Sequence, residues 1–135
     1  MIRGDRRAEK VCMDALLASP EILGIYGKEK IFQGYAAPNT LGTLDAYILI
    51  HRLDSITLDR VAGRVKTDKL RRVRLQVDVS DTDYGDMVSR SELVRDVLET
   101  AYPSCVDGDS YGTVSVGQKI FNVCSIDLLL TESEA

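Results

Sequence analysis

Apolar and polar residues alternate without a break from Arg72 to Val79: Val73, Leu75, Val77 and Val79 interleave with Arg72, Arg74, Gln76 and Asp78. A period of two predicts a strand, from about Leu70 to Val79, with one face on a core and the other free of it. A few residues later the period changes. Met87, Ser91, Val94, Leu98 and Ala101 recur at intervals of three and four, which predicts an amphipathic helix from about Tyr84 to Tyr102, stopped by Pro103. A one-sided strand running into a one-sided helix predicts a sheet layer against a helix layer.

The rest of the chain extends this pattern. Ala8, Val11, Cys12, Ala15 and Leu16 share one face of a helix from about Asp5 to Ala18, and Ser19-Pro20 then supplies an N-cap and a first-turn proline for a short helix that stops at Gly27. Lys30 to Ala36 is a short strand candidate, Pro38, Asn39 and Gly42 interrupt, and Ala46 to Leu53 is apolar on both sides at its start, as an interior strand is. Residues 56–72 are too polar for a core and read as a projecting hairpin or long loop. Asp107-Gly108-Asp109 reads as a turn, Tyr111 to Val116 as a strand, Gly117 as a second turn, Ile120 to Leu130 as the last strand, and 131–135 as a frayed tail. The expected fold is therefore α+β: one domain over 1–135, a mainly antiparallel sheet with two main helices on one face and a projecting basic hairpin.

Composition changes little in this picture. The chain has 135 residues, enough for one domain with its own core, and no apolar run of the roughly 20 residues that would cross a bilayer. Its N-terminus is charged, without the apolar block of a secretory signal, which gives an expectation of a cytoplasmic protein without membrane contact. Cys12, Cys105 and Cys124 are odd in number and far apart, so buried free thiols are expected rather than a disulfide framework or zinc site.

Charge is more informative. Arg60, Arg64, Lys66, Lys69, Arg71, Arg72 and Arg74 stand against only Asp59 and Asp68 between positions 59 and 74, while the chain after Arg74 is strongly acidic. Such asymmetry suits contact between copies, one basic surface meeting another's acidic one, and arginine favours bidentate carboxylate contacts. The alternative is a small nucleic-acid-binding or regulatory module that uses 60–74 to track phosphates, although no aromatic residue interleaves with these cations to stack on bases.

Three constellations imitate chemistry. Asp78, Asp81, Asp83, Asp86 and Glu92 approximate a calcium loop, but glycine falls at the fifth position instead of the sixth, so helix capping is the expected role. Gly112 to Lys119 has the glycine spacing of a phosphate loop, yet its lysine is displaced by one and Ile120 replaces the magnesium-binding hydroxyl, so a hairpin turn is expected. His51 is the sole histidine and lies in a strand with no nucleophile elbow elsewhere. No enzymatic activity, cofactor or metal is expected.

The segment RRVRLQVDVSDTDYGDMVSRSELVRDVLET resembles the strand-then-helix core of the tail-completion family of long-tailed bacteriophages. Arg74, Gln76, Asp78 and Val79 match its "R-x-Q-x-D-V" strand, and Leu93, Val94, Val97 and Leu98 match its apolar helix positions. ALLASPEILGIYGKEKIFQGYAAP resembles the family's opening, and the likeness in layout runs from about Ala8 to Leu130, departing at Ala37 to Gly42 before the second strand. The resemblance implies a virion tail-terminator or head–tail joining subunit, assembled in the host cytoplasm. It implies a ring, usually of six copies, that contacts the tail tube protein and the head-completion or connector protein near the portal, with possible non-specific contact with passing DNA. On this reading Arg60, Arg64, Lys66, Lys69, Arg71, Arg72, Arg74, Gln76 and Asp78 form a subunit or partner interface, or the lumen wall.

Overall fold

The computed structural model describes residues 7–57 and 69–134 of the chain. Helices α1 (Ala8–Leu17) and α2 (Pro20–Tyr26) open it, followed by a single turn of 3-10 helix, strand β1 (Ile31–Gln33) and the short helix α3 (Pro38–Leu41). Then come β2 (Ala46–Thr57), β3 (Lys69–Asp81), α4 (Tyr84–Ala101), β4 (Val106–Val116) and β5 (Lys119–Glu134). The five strands form one sheet in the order β1-β2-β3-β5-β4. All neighbours are antiparallel except β1 and β2, so the sheet is mixed and mostly antiparallel.

Alternation along β3 decides what is inside. Val73, Leu75, Val77 and Val79 are fully buried, and with Ile48 and Ile50 of β2 and Cys124, Ile126 and Leu128 of β5 they form the floor of the main core. Cys12 and Leu16 of α1, Ile22 and Tyr26 of α2, and Met87, Val94 and Leu98 of α4 close it from above. The predicted α+β layer, with its helices on one face of the sheet, is thus the observed architecture. The helix starts follow the local chemistry: Ser19 Oγ accepts from the Ile22 N–H at 3.4 Å with Pro20 in the first turn, and Asp83 Oδ2 accepts from the Asp86 N–H at 2.8 Å.

A second, smaller cluster lies on the opposite face of the sheet. Leu41, Tyr47, Val116 and Phe121 are buried there, with Tyr47 and Phe121 edge to face at 5.0 Å between ring centroids. The segment carrying α3 caps this end of the face, held by Lys119 Nζ, which donates to the Leu44 carbonyl at 2.8 Å.

Several expectations require correction. The strand expected over 30–36 is only Ile31–Gln33, and the break expected at Pro38-Asn39 is a turn of helix with proline in its first turn, a position that needs no N–H. Asp107-Gly108-Asp109 is no turn: it lies inside β4, where the register shifts between Val106 and Gly108, and the chain reverses earlier, through Ser104 at φ 66°. The tail expected to fray at 131 instead continues β5, with Thr131, Glu132, Ser133 and Glu134 in register with Arg72, Arg71, Leu70 and Lys69. At the base of the expected hairpin, Ile56 and Thr57 pair with Arg72 and Arg71. Residues 58–68, and with them Arg60, Arg64 and Lys66, lie outside the described residues, as does the start of the first helix before Arg7. No described helix is long and apolar enough to cross a membrane.

The buried thiol of Cys12 gives a pH prediction. Burial, reinforced by the nearby Glu9 carboxylate, pushes Cys12 up from 9.0 to about 12, and burial also pushes Tyr102 up to about 12. The folded state therefore keeps these protons where the unfolded chain gives them up, so their contribution is complete below about pH 9 and is lost as pH rises towards 12. Denaturant titrations should show stability falling across that window, less steeply in Cys12→Ala. A thiol reagent at pH 8 should label half-buried Cys105 first and leave Cys12 and Cys124 untouched until the protein unfolds.

Candidate functional site: the open face of the sheet

The residues of β3 that alternate with the core strip, Arg72, Arg74, Gln76 and Asp78, lie on the face that carries no helix layer. Register brings His51 of β2 opposite Gln76, and Ser125 of β5 opposite Asp78. These four side chains form one network. Asp78 Oδ1 accepts from Ser125 Oγ at 2.7 Å and from Gln76 Nε2 at 2.8 Å, Gln76 Nε2 also reaches Ser125 Oγ at 3.3 Å, and Asp78 Oδ2 lies 3.1 Å from His51 Nε2. The network ties the three interior strands together across the middle of an otherwise uncovered face.

This histidine, aspartate and serine are the ingredients of a catalytic triad in the wrong order. In a triad the imidazole stands between hydroxyl and carboxylate, so that it can take the hydroxyl proton. Here the carboxylate stands between the other two, and Ser125 donates directly to it, an arrangement that fixes the hydroxyl without activating it. The network is positional chemistry.

The face changes character along its length. At the α3 end is a shallow cavity of about 410 Å³, lined by Tyr47, Leu49, Val114, Val123, Ser110 and Ser125. The network follows, and beyond it Arg74 Nη1 approaches Asp54 Oδ2 at 3.4 Å with both side chains about half exposed, next to exposed Arg72. One face therefore grades from apolar through neutral polar to charged, which is the profile of a surface that meets protein rather than a small substrate.

The nine residues expected to share an interface are not all together. Arg72, Arg74, Gln76 and Asp78 share the open face, whereas Arg71, one residue out of step, falls on the helix side of the sheet. Lys69 starts β3 in register with Glu134, and the other three lie outside the described residues. Gln76 and Asp78 are committed to the network, which leaves Arg72 and Arg74 as the accessible cations of the four. His51 and Ser125 were missed from the sequence because each gains its role from cross-strand register; once β2 and β5 are aligned on β3, alternation alone puts them there.

The acidic cluster serves the helix. Asp81, 3% exposed, accepts from the Asp83 N–H at 2.8 Å and from Arg90 Nη1 at 2.5 Å, while Asp83 caps α4. Among the described residues no three His, Cys, Asp or Glu side chains converge as a metal set. Gly112 to Lys119 forms the β4–β5 hairpin, turning at Gly117 with φ 61°. No protein-family model matches the chain, and no curated protein matches it.

Proposed function

We propose that this chain is a non-enzymatic virion subunit that assembles into a ring, of six copies by resemblance, closing the head-proximal end of a long phage tail and joining it to the head connector. The observation that carries the reading is the open face of β3. The strand whose sequence resembles the tail-completion core presents Arg72, Arg74, Gln76 and Asp78 on the one broad surface that the chain's own helices leave uncovered. A ring subunit needs two different complementary surfaces, and a two-layer body with a charged sheet face and an acidic helix face supplies them. The tail tube protein and the head-completion protein are the expected partners, and the basic residues facing a lumen would contact passing DNA without sequence preference.

The test is assembly. Negative-stain images of the protein incubated with tail tubes of the phage that encodes it should show a ring or cap at one tube end. Tubes with two bare ends would sink the proposal. Binding to short duplex DNA should be weak at physiological salt; tight binding that falls steeply as salt rises would instead favour the phosphate-tracking use of residues 60–74.

A further inference from the structure

On its helix side the molecule has a groove of about 570 Å³ between α1, the start of α2 and the second half of α4. Its floor is Ala15, Ala18, Leu93, Val97 and Ala101, and its rim carries the carboxylates of Glu21 and Asp96. Exposed Glu92 and Glu99 extend the acidic character along α4, and the one arginine of that stretch, Arg95, is turned to Asp109 and Glu99. No lysine or arginine lines the groove. It therefore suits a short segment of small apolar residues flanked by cations.

The chain contains such a segment. Residues 58–68, which join Thr57 to Lys69, read LDRVAGRVKTD, with Val61 beside Arg60 and Val65 between Arg64 and Lys66. We infer that the acidic groove between α1 and α4 receives this basic segment from a second copy of the chain, as the heterologous contact that builds the ring. The inference rests on the ring reading and names its contact.

Geometry favours another copy as the donor. α4 runs back over the sheet from the far end of β3, and its 18 residues cover about 27 Å, against about 43 Å for the 13 residues of β3. The first β3 residue in the core is Val73, so Lys69–Arg72 lie beyond the helix layer, paired on one side with Ile56 and Thr57 and on the other with Thr131–Glu134. This three-stranded extension carries 58–68 away from the body, and a paired ribbon does not fold back onto its own helices. A neighbour's groove is the acidic surface within its direction of travel. One contact of this kind leaves each subunit with one segment given and one groove filled, which is the closure rule of a ring.

Two reversed proteins test it. The first carries Arg60→Glu, Arg64→Glu and Lys66→Glu; the second carries Glu21→Lys and Asp96→Lys, at the groove rim. Mass photometry and sedimentation of each alone should show assembly displaced to at least about tenfold higher concentration than wild type. An equimolar mixture should recover assembly, because each type of segment then finds a groove of opposite sign, alternating around an even-numbered ring. Ala101→Arg, which fills the floor at an exposed helix end, should weaken assembly without moving the melting temperature. If wild type assembles but the mixture does not recover, or if either reversed protein assembles like wild type, the groove assignment is overturned and the ring reading stands. If the reversals lower the melting temperature with no change in assembled mass, the segment docks on its own chain and the assignment is likewise overturned. If wild type stays monomeric throughout and caps no tube, both fall together.

Discussion

Arg90→Ala is expected to cost about 3 kcal/mol of folding stability, read as a lower denaturant midpoint with an unchanged slope. The reason lies in what would be left behind. Asp81 is 3% exposed at the end of β3, and its two oxygens are divided between the Asp83 N–H at the entry to α4 and the Arg90 guanidinium one turn further on. Without Arg90 a buried carboxylate keeps one hydrogen bond and no counter-charge, in the costly range for breaking a buried pair. Arg90 also lies 6.0 Å over the Tyr26 ring, so the same substitution loosens α2 against α4. Removing both partners together, as Asp81→Asn with Arg90→Leu, should cost clearly less than the sum of the single changes, because no charge is stranded.

Leu75→Ala should be similarly damaging, by about 2–5 kcal/mol, whereas Arg74→Ala, its neighbour in sequence, should stay within about 0.5 kcal/mol. Leu75 is fully enclosed between the helices and the strands on either side, so truncation leaves a cavity the sheet cannot collapse into. Arg74 makes a single long contact to Asp54, half in solvent. For a domain of this size the first substitution should lower the melting temperature by roughly 10 °C or more and the second hardly at all. If the proposed function holds, the ranking inverts in a ring-assembly assay: Arg74→Glu weakens assembly of a fully folded protein. Adjacent residues thus separate what folds the subunit from what joins it to others.

How much of this was legible in the sequence depends on whether the information is local. The two faces of β3, the stripe on α4, the Asp83 cap, the Ser19-Pro20 start and the turn at Gly117 were readable because each rests on residues within one helical turn or one strand pair. The α+β layering followed, since one-sided elements must pack their apolar sides together. Partners distant in the chain were not legible. Nothing near Ile31 announces that three residues will pair parallel to β2, and Gly108 gives the same signal for a bulge as for a turn. The polar tail was expected to fray because Glu132 and Glu134 lack apolar drive; register opposite Arg71 and Lys69 supplies what composition does not. The Asp78 network failed for the same reason: His51 and Ser125 stand 27 and 47 residues from the carboxylate they share.

The strand order has a consequence for synthesis. Of the five strands β5 is the last that the ribosome releases, yet it lies between β3 and β4, in the interior of the sheet. Until it emerges, β3 has an open edge and β4 has no partner at all, so the nascent chain holds two unsatisfied ladders whose only relief is the final segment to be translated. A stop codon even a few residues into β5 would therefore split the sheet rather than trim it. Infected cells that accumulate prematurely terminated chains should find them with chaperones and proteases, not as shortened but working subunits.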